Sequence, residues 1–267
     1  MNIFEYMSIG ETEKPLDRIV TDGGFCGIFR TIACIGDSLS SGEFEAKNEE
    51  GKRTYHDYFE YSWGQFISRS AGNKVFNCSR GGMTAKEYCQ TFAQENGFWE
   101  TIAQAYIIAL GVNDIINQGM PLGAVTDVVL SDYTKNADTF AGYYAQIIQR
   151  MKAVQPRAKF FLVTMPRKGD EKDVLRKAHR DLLVGLSELF DRTYVIDLFE
   201  YAPVNDAEFE EKFVLGHMTP TGYILTARMI ESYIDYIIRK YPKDFSQAGF
   251  IGTDLYFEPE KKQIKRG

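Results

Sequence analysis

Short apolar runs alternate with longer amphipathic stretches along most of this chain. The apolar runs are rich in β-branched and aromatic residues, end in turn residues, and cover 31–35, 74–77, 106–110, 159–164 and 193–198. Such runs predict buried strands. Helical periodicity is clearest at 137–154, 171–190 and 221–240. The alternation predicts βαβ units and therefore an α/β fold, a three-layer α/β/α sandwich around a mostly parallel five-stranded sheet.

The two ends of the chain do not follow this alternation. We expect residues 1–30 to form an N-terminal extension, with a loop and a short extended piece at 23–29. Residues 31–240 are expected to form one domain. Residues 241–267 end in a run of charges and are expected to form a solvated C-terminal tail.

Composition narrows the classes of protein to which the chain can belong. It has 267 residues, of which 44% are hydrophobic, enough for a sizeable core. Its net charge of −6 argues against a nucleic-acid partner, since such proteins need a basic surface to displace counterions. The N-terminus lacks the pattern of a signal peptide, and no apolar run approaches the ~18 residues of a membrane span. We therefore expect a cytoplasmic protein without a membrane span.

The cysteines and histidines show no pattern of a metal site. The four cysteines lack C-x-x-C spacing and are expected to be reduced packing residues; they are Cys26, Cys34, Cys78 and Cys89. His56 and His179 are expected on solvated surfaces, and neither has a second histidine or cysteine at ligand spacing. We predict that the protein binds no metal.

The first predicted strand ends in Gly36-Asp37-Ser38, which places a serine just beyond the strand. In a parallel α/β sheet this edge borders the crevice where ligands bind. A serine there has three interpretations: a helix cap, part of a phosphate-binding loop over 36–42, or a nucleophile. The second would make the chain a nucleotide-binding protein, but the segment lacks the G-x-x-x-x-G-K-[ST] pattern.

A serine nucleophile needs a base for its proton and donors for the oxyanion that forms. Later segments supply both kinds of group. Gly82 follows the second strand, where glycine lets a backbone N–H approach a ligand, and Asn113 follows the third strand with a side-chain amide. His217 lies in a loop before the last helix. Asp37 and Asp114 are expected to brace their loops.

These blocks, around Ser38, Gly82, Asn113 and His217, resemble in their order the four motifs of the SGNH (GDSL) hydrolase family. The resemblance covers residues 31–238 and implies a flavodoxin-like sheet. It implies that Ser38 is the nucleophile and His217 the base. It also implies an oxyanion hole made by the N–H groups of Ser38 and Gly82 and by the Asn113 side chain. A serine ester hydrolase of this kind needs no cofactor.

One position departs from the family pattern. The aspartate that usually stands three residues before the histidine is replaced by Val214. Loss of such a carboxylate costs about 10⁴ in kcat, because the imidazole is no longer held in its tautomer and orientation. We expect a Ser38–His217 dyad whose histidine is oriented by a backbone carbonyl or a nearby carboxylate. The candidates for that carboxylate are Asp206, Glu208, Glu210 and Glu211.

The family includes enzymes that act on acetylated carbohydrates, lipids and thioesters. We predict a short acyl ester, in particular an acetyl ester of a carbohydrate, because the sequence shows no long apolar lid. The polar insertions at 42–59 and 118–132 are expected to border the pocket, and Arg80 is either a surface cation or a substrate contact. Two alternatives stay open: a catalytically impaired carbohydrate- or acyl-binding module, and a lipase or thioesterase with longer acyl preference. The sequence indicates no oligomeric state.

Overall fold

The computed structural model describes residues 7–248, which are built around a five-stranded parallel sheet. The strands in chain order are β1 Thr31–Gly36, β2 Glu43–Lys47, β3 Arg53–Asp57, β4 Lys74–Ser79, β5 Ala105–Ala109, β6 Lys159–Val163, β7 Thr193–Ile196, β8 Val214–Leu215 and β9 His217–Met218. The main sheet has the order β4-β1-β5-β6-β7, and every neighbouring pair is parallel. This is the flavodoxin-like strand order. The predicted fold class is confirmed.

Helices cover both faces of this sheet. They are α1 Ser38–Ser41, α2 Trp63–Ala71, α3 Ala85–Glu87, α4 Ala93–Glu95, α5 Phe140–Val154, α6 Asp173–Leu189, α7 Leu198–Tyr201, α8 Ala207–Phe213 and α9 Pro220–Lys240. π-Helical turns cover Tyr88–Phe92 and Val112–Asn117, and 3₁₀ turns cover Gly24–Ile28, Phe59–Tyr61, Phe98–Glu100, Val125–Asp127 and Tyr133–Lys135. Within residues 7–248, every helix is too short or too polar to span a bilayer.

Alternate residues of the main strands pack on opposite helical layers. Ala33 and Ile35 of β1 belong to the core formed with α5 and α6, whereas Ile32 and Cys34 belong to the core formed with α2 and α9. Side chains of a strand alternate between its two faces, so a strand covered by helices on both faces is apolar throughout. All four cysteines are buried and unpaired.

The segment before β1 lies against α9. Its expected extended piece is instead the 3₁₀ turn Gly24–Ile28. The N–H of Phe25 donates to Asp235 Oδ1 over 3.0 Å, and the N–H of Val20 donates to Ser232 Oγ over 3.0 Å. These contacts attach the extension to the last helix. Most of the predicted tail 241–267 falls outside the described residues.

Two short antiparallel hairpins stand apart from the main sheet. The first pairs β2 with β3, so the charged insertion after the serine is a hairpin. The second pairs β8 with β9 around Gly216, whose φ of +76° is in the left-handed region. The second hairpin places His217 directly before α9, whose first turn is capped by Thr219.

Candidate functional site

Ser38 is the first residue of α1, directly beyond the carboxyl end of β1. Asp37 precedes it and caps the helix, since its Oδ1 accepts from the N–H of Leu39 over 3.2 Å. The Ser38 residue is 8% exposed. Burial raises the pKa of Asp37 to about 7. Asp37 therefore braces the loop that presents Ser38.

Gly82 lies beside this loop because β4 is the neighbour of β1. Ser79 pairs with Gly36, and the N–H of Arg80 donates to the carbonyl of Gly36 over 3.4 Å. Gly82 has a φ of +72°, in the left-handed region that glycine adopts most easily. The predicted oxyanion donor thus follows the strand next to the one that ends at Ser38.

Asn113 lies in the π-helical turn that follows β5, on the other side of β1. Its Nδ2 donates to the carbonyl of Met83 over 3.2 Å, and its Oδ1 accepts from Asn117 Nδ2 over 2.9 Å. A primary amide has two N–H donors, so one of them remains for an oxyanion. The neighbouring Asp114 is buried and accepts from the N–H of Ala85 over 2.8 Å, and burial raises its pKa to about 6.

His179 contacts the backbone that leads from β5 into the turn of Asn113. The prediction that it lies on a solvated face is wrong, because it is fully buried where α6 packs against the end of β5. Its Nε2 lies 3.1 Å from the carbonyl of Leu110, an acceptor, so this nitrogen carries the proton. Burial lowers the pKa of His179 to about 4, and the ring is neutral at physiological pH. A Cβ on Gly111 would lie 2.7 Å from Nε2, so only glycine fits there.

His217 lies between two glutamates of β2. Its Nδ1 is 3.1 Å from Oε1 of Glu45, and its Nε2 is 3.0 Å from Oε1 of Glu43. Residues two apart on a strand share a face, which is why both carboxylates reach one ring. The Glu43 and Glu45 side chains are only 11% and 13% exposed. Both ring nitrogens of His217 thus face a glutamate, and the contact of Nδ1 with Glu45 has the geometry of a hydrogen bond.

Two glycines make room for these carboxylates. A Cβ on Gly81 would collide with the carboxylate of Glu43, and a Cβ on Gly216 would collide with that of Glu45. Burial raises the pKa of Glu43, and the neighbouring His217 opposes this rise. Both carboxylates are therefore packed closely against glycine backbone.

The hairpin that carries both glutamates is fastened at its other strand. Asp57 of β3 accepts from Ser41 Oγ of α1 and, over 3.2 Å, from the N–H of Gly81. Arg53 Nε lies 3.1 Å from Oε2 of Glu45. These contacts tie β3 to α1 and to the segment after β4.

Ser38, Asn113 and His217 line one cleft at the carboxyl edge of the main sheet, with a volume of about 340 Å³. Its walls are mostly apolar; they include Leu110, Val163, Met165, Phe209, Val214 and Met229. Arg80 lies elsewhere, 44% exposed, with its guanidinium 2.6 Å from Glu87 and stacked over Phe92. The structure thus places Arg80 at the surface.

The four carboxylates expected to orient His217 have other partners or positions. Asp206 caps α8 by accepting from the N–H of Phe209, Glu208 pairs with Lys212, Glu210 pairs with Lys168, and Glu211 is exposed. The structure brings Glu43 and Glu45 to the imidazole instead. Their alternate spacing directly after the serine block was the only signal in the sequence. Within residues 7–248, no group of three or more His, Cys, Asp or Glu has the arrangement of a metal site.

Comparison with known proteins identifies one family. The model of the GDSL-like lipase/acylhydrolase family matches residues 34–225. A family two carbohydrate esterase from Clostridium thermocellum, solved in complex with cellohexaose, has a TM-score of 0.55 and 16% identity, over 78% of this chain and 64% of that one. A protein from Lactobacillus plantarum has a TM-score of 0.54 and 14% identity, over 78% and 97% of the two chains.

A carbohydrate esterase family 2 enzyme from Corynascus thermopiles, solved with its carbohydrate-binding domain, is also similar. It has a TM-score of 0.51 and 15% identity, over 78% of this chain and 66% of that one. Among curated proteins no match was found. At these identities, likeness to solved structures shows the fold alone.

Proposed function

The chain belongs to the GDSL-like lipase/acylhydrolase family, and from this premise we propose that it is a serine ester hydrolase acting through Ser38 and His217. One observation carries the proposal: Ser38, Asn113 and His217 line the same cleft although 179 positions separate the first from the last. A helix cap or a phosphate-binding loop at Ser38 would leave the other two residues without a role.

The reaction proceeds in two transfers of the acyl group. Ser38 Oγ attacks the ester carbonyl and its proton passes to Nε2 of His217, while the oxyanion accepts from Ser38 N–H, Gly82 N–H and Asn113 Nδ2. His217 then donates the proton to the departing alcohol. His217 then takes a proton from the water that attacks the acyl-serine. It returns this proton to Ser38 Oγ as the carboxylic acid leaves.

This reaction requires Nε2 of His217 to face Ser38 Oγ. In the structure, Nε2 contacts Glu43. The base step therefore begins when Nε2 leaves the carboxylate of Glu43 and turns to Ser38 Oγ. We propose that this exchange of partners accompanies entry of the ester into the cleft.

For the substrate we propose an acetyl ester of a carbohydrate. Tyr55 is about half exposed, and its ring centroid lies 6.0 Å from that of His217. Exposed aromatic rings beside a site offer apolar faces that also tolerate water, as a sugar surface requires. Two of the solved structures with the same fold are carbohydrate esterases.

A fluorophosphonate probe tests the nucleophile. We expect intact-mass measurement to show one adduct on the wild-type protein and none on Ser38→Ala, since the probe reacts only with an activated serine. Ser40→Ala is a matched control, because Ser40 is buried in the same helix and should leave labelling intact. Wild-type protein that takes up no adduct, under conditions that label a known serine esterase, would show that Ser38 is not a nucleophile and would favour the binding-module alternative.

The apolar lining of the cleft favours a second candidate, an esterase or thioesterase with longer acyl preference. A volume of about 340 Å³ exceeds what an acetyl group fills. Aryl esters from acetyl to decanoyl separate the two candidates. We expect kcat/KM to be highest for acetyl; a rise toward decanoyl would establish the longer-chain alternative.

A further inference from the structure

We propose that Glu45 is a positioning residue for His217 and supplies, from the inserted hairpin, the carboxylate that position 214 lacks. The proposal rests on the proposed function, because it concerns the histidine that acts there as the base. It assigns the hairpin β2–β3 a part in catalysis rather than in packing alone. Three observations support it: the contact of Glu45 with Nδ1, the room that the backbone leaves for its carboxylate, and the positions of the other acidic groups.

The contact with Glu45 is on the nitrogen that an orienting carboxylate must reach. Oε1 of Glu45 lies 3.1 Å from Nδ1 of His217, which leaves Nε2 as the nitrogen for proton transfer. A carboxylate on Nδ1 fixes the tautomer whose Nε2 is free to accept, and it stabilises the imidazolium that forms. Oε2 of Glu45 is bound by Arg53 Nε over 3.1 Å, so the carboxylate is held at both oxygens.

The backbone around His217 is shaped to admit this carboxylate. Gly216 is exposed and precedes His217, yet a Cβ there would overlap the Glu45 carboxylate. A larger residue at position 216 of the β8–β9 hairpin would hold the Glu45 carboxylate away from the imidazole of His217. The register of β2 and β3 also places Glu45 opposite Tyr55, whose ring meets His217 edge-on.

The other acidic groups near the ring have different partners. Glu43 contacts Nε2, the nitrogen that must accept the serine proton, so it competes with Ser38 instead of orienting the ring. Asp57 is bound to Ser41 and to the N–H of Gly81. Of the acidic side chains within residues 7–248, Glu45 alone is recorded in contact with Nδ1.

Steady-state kinetics of Glu45→Gln on an activated acetyl ester is the first test. We expect kcat to fall about 10²- to 10⁴-fold, because the amide no longer stabilises the imidazolium and can hold the wrong tautomer. KM should stay within about threefold, since Glu45 acts on the transition state through His217. The matched control is Glu49→Gln, in the exposed turn of the same hairpin, which should keep wild-type kcat and melting temperature.

A double-variant cycle shows whether the effect passes through the histidine. In a His217→Ala background, Glu45→Gln should cause almost no further loss, because residues acting as one unit are not additive. An equal loss in both backgrounds would overturn the proposal, as would a Glu45→Gln variant within threefold of wild type.

A readout without turnover separates this proposal from the proposed function. In ¹⁵N-labelled Ser38→Ala protein, we expect the Nδ1–H proton of His217 as a low-field resonance protected by Glu45. It should disappear in the Ser38→Ala/Glu45→Ala variant. A resonance that is unchanged there would refute the role of Glu45, whereas failure of wild-type protein to react with the fluorophosphonate would refute only the proposed function.

Discussion

Two backbone positions without side chains determine how closely the glutamates approach the imidazole. Gly81 lies against Glu43 and Gly216 against Glu45. Hydrogen bonds to a charged group weaken steeply when the heavy atoms separate beyond about 3.2 Å. At the scale of single residues, the geometry of His217 therefore depends on the absence of two methyl groups.

The substitution Gly216→Ala is expected to lower kcat by at least about tenfold, because the new methyl group displaces the Glu45 carboxylate from Nδ1. The change also strains a backbone with φ +76°. Gly51→Ala is the matched control: Gly51 has φ +75°, lies in the turn of the β2–β3 hairpin that carries Glu45, and has open space where a Cβ would stand. Comparison of kcat for the two variants separates strain from collision, and equal losses would contradict this account.

Sequence patterns were enough to select Ser38, Gly82, Asn113 and His217 as candidate site residues, but not to find the carboxylates that contact His217. Ser38, Gly82 and Asn113 follow strand ends, which the hydrophobic pattern predicts, and His217 precedes a predicted helix. Glu45 is 172 positions from His217, and its alternate spacing with Glu43 was the only local signal in the sequence. Its contact depends on how the β2–β3 hairpin folds back toward His217, which local patterns do not encode.

At the scale of elements, apolar runs predicted strands more reliably than polar segments did. All five main strands form where β-branched and aromatic runs predict them. The strands β2 and β3 were missed because charged residues interrupt both segments, EFEAK and RTYHD, so neither contains the apolar run that marks the main strands. His179 was misjudged for a similar reason, since a polar residue on an amphipathic helix gives no sign that a loop from another strand covers it.

Helix α9 contains a buried carboxyl that makes stability depend on pH. Glu231 is 1% exposed and accepts from Ser70 Oγ of α2, and burial raises its pKa to about 8. Between its ordinary pKa near 4.5 and about 8, the folded protein keeps a proton that the unfolded chain releases. Its contribution to the free energy of unfolding is therefore complete at acidic pH and declines as pH rises.

In the variant Glu231→Gln, this residue should no longer lower the free energy of unfolding as pH rises, because the amide is neutral in the folded and unfolded states. The difference in stability between wild type and variant should shift in favour of the variant by up to about 1.4 kcal/mol for each pH unit between 5 and 8. Urea unfolding at four pH values measures it. Exposed Glu188 supplies the control, Glu188→Gln. Parallel stability curves for wild type and Glu231→Gln would refute the assignment.

At the scale of the whole molecule, the parallel sheet gathers distant segments at one edge. Because β1 and β5 are neighbours, the segments after them both line the cleft, and the hairpin before α9 brings His217 to the same edge. This convergence follows from strand order, so the alternation of elements was enough to predict it. The hairpin β2–β3 lies outside that order, and its position beside His217 had to come from the structure.

The attachment of this hairpin has a consequence for how the protein responds to heat. Besides its glutamates, it is fastened by Asp57 to Ser41 and Gly81 and by the N–H of Tyr58 to Gly42. Segments with few buried contacts open at a lower free-energy cost than the core. Rates measured during gradual warming, beside circular dichroism at the same temperatures, should show turnover disappearing reversibly before ellipticity changes. We expect opening of the β2–β3 hairpin beside His217 to set the temperature limit of activity, while the main sheet stays folded.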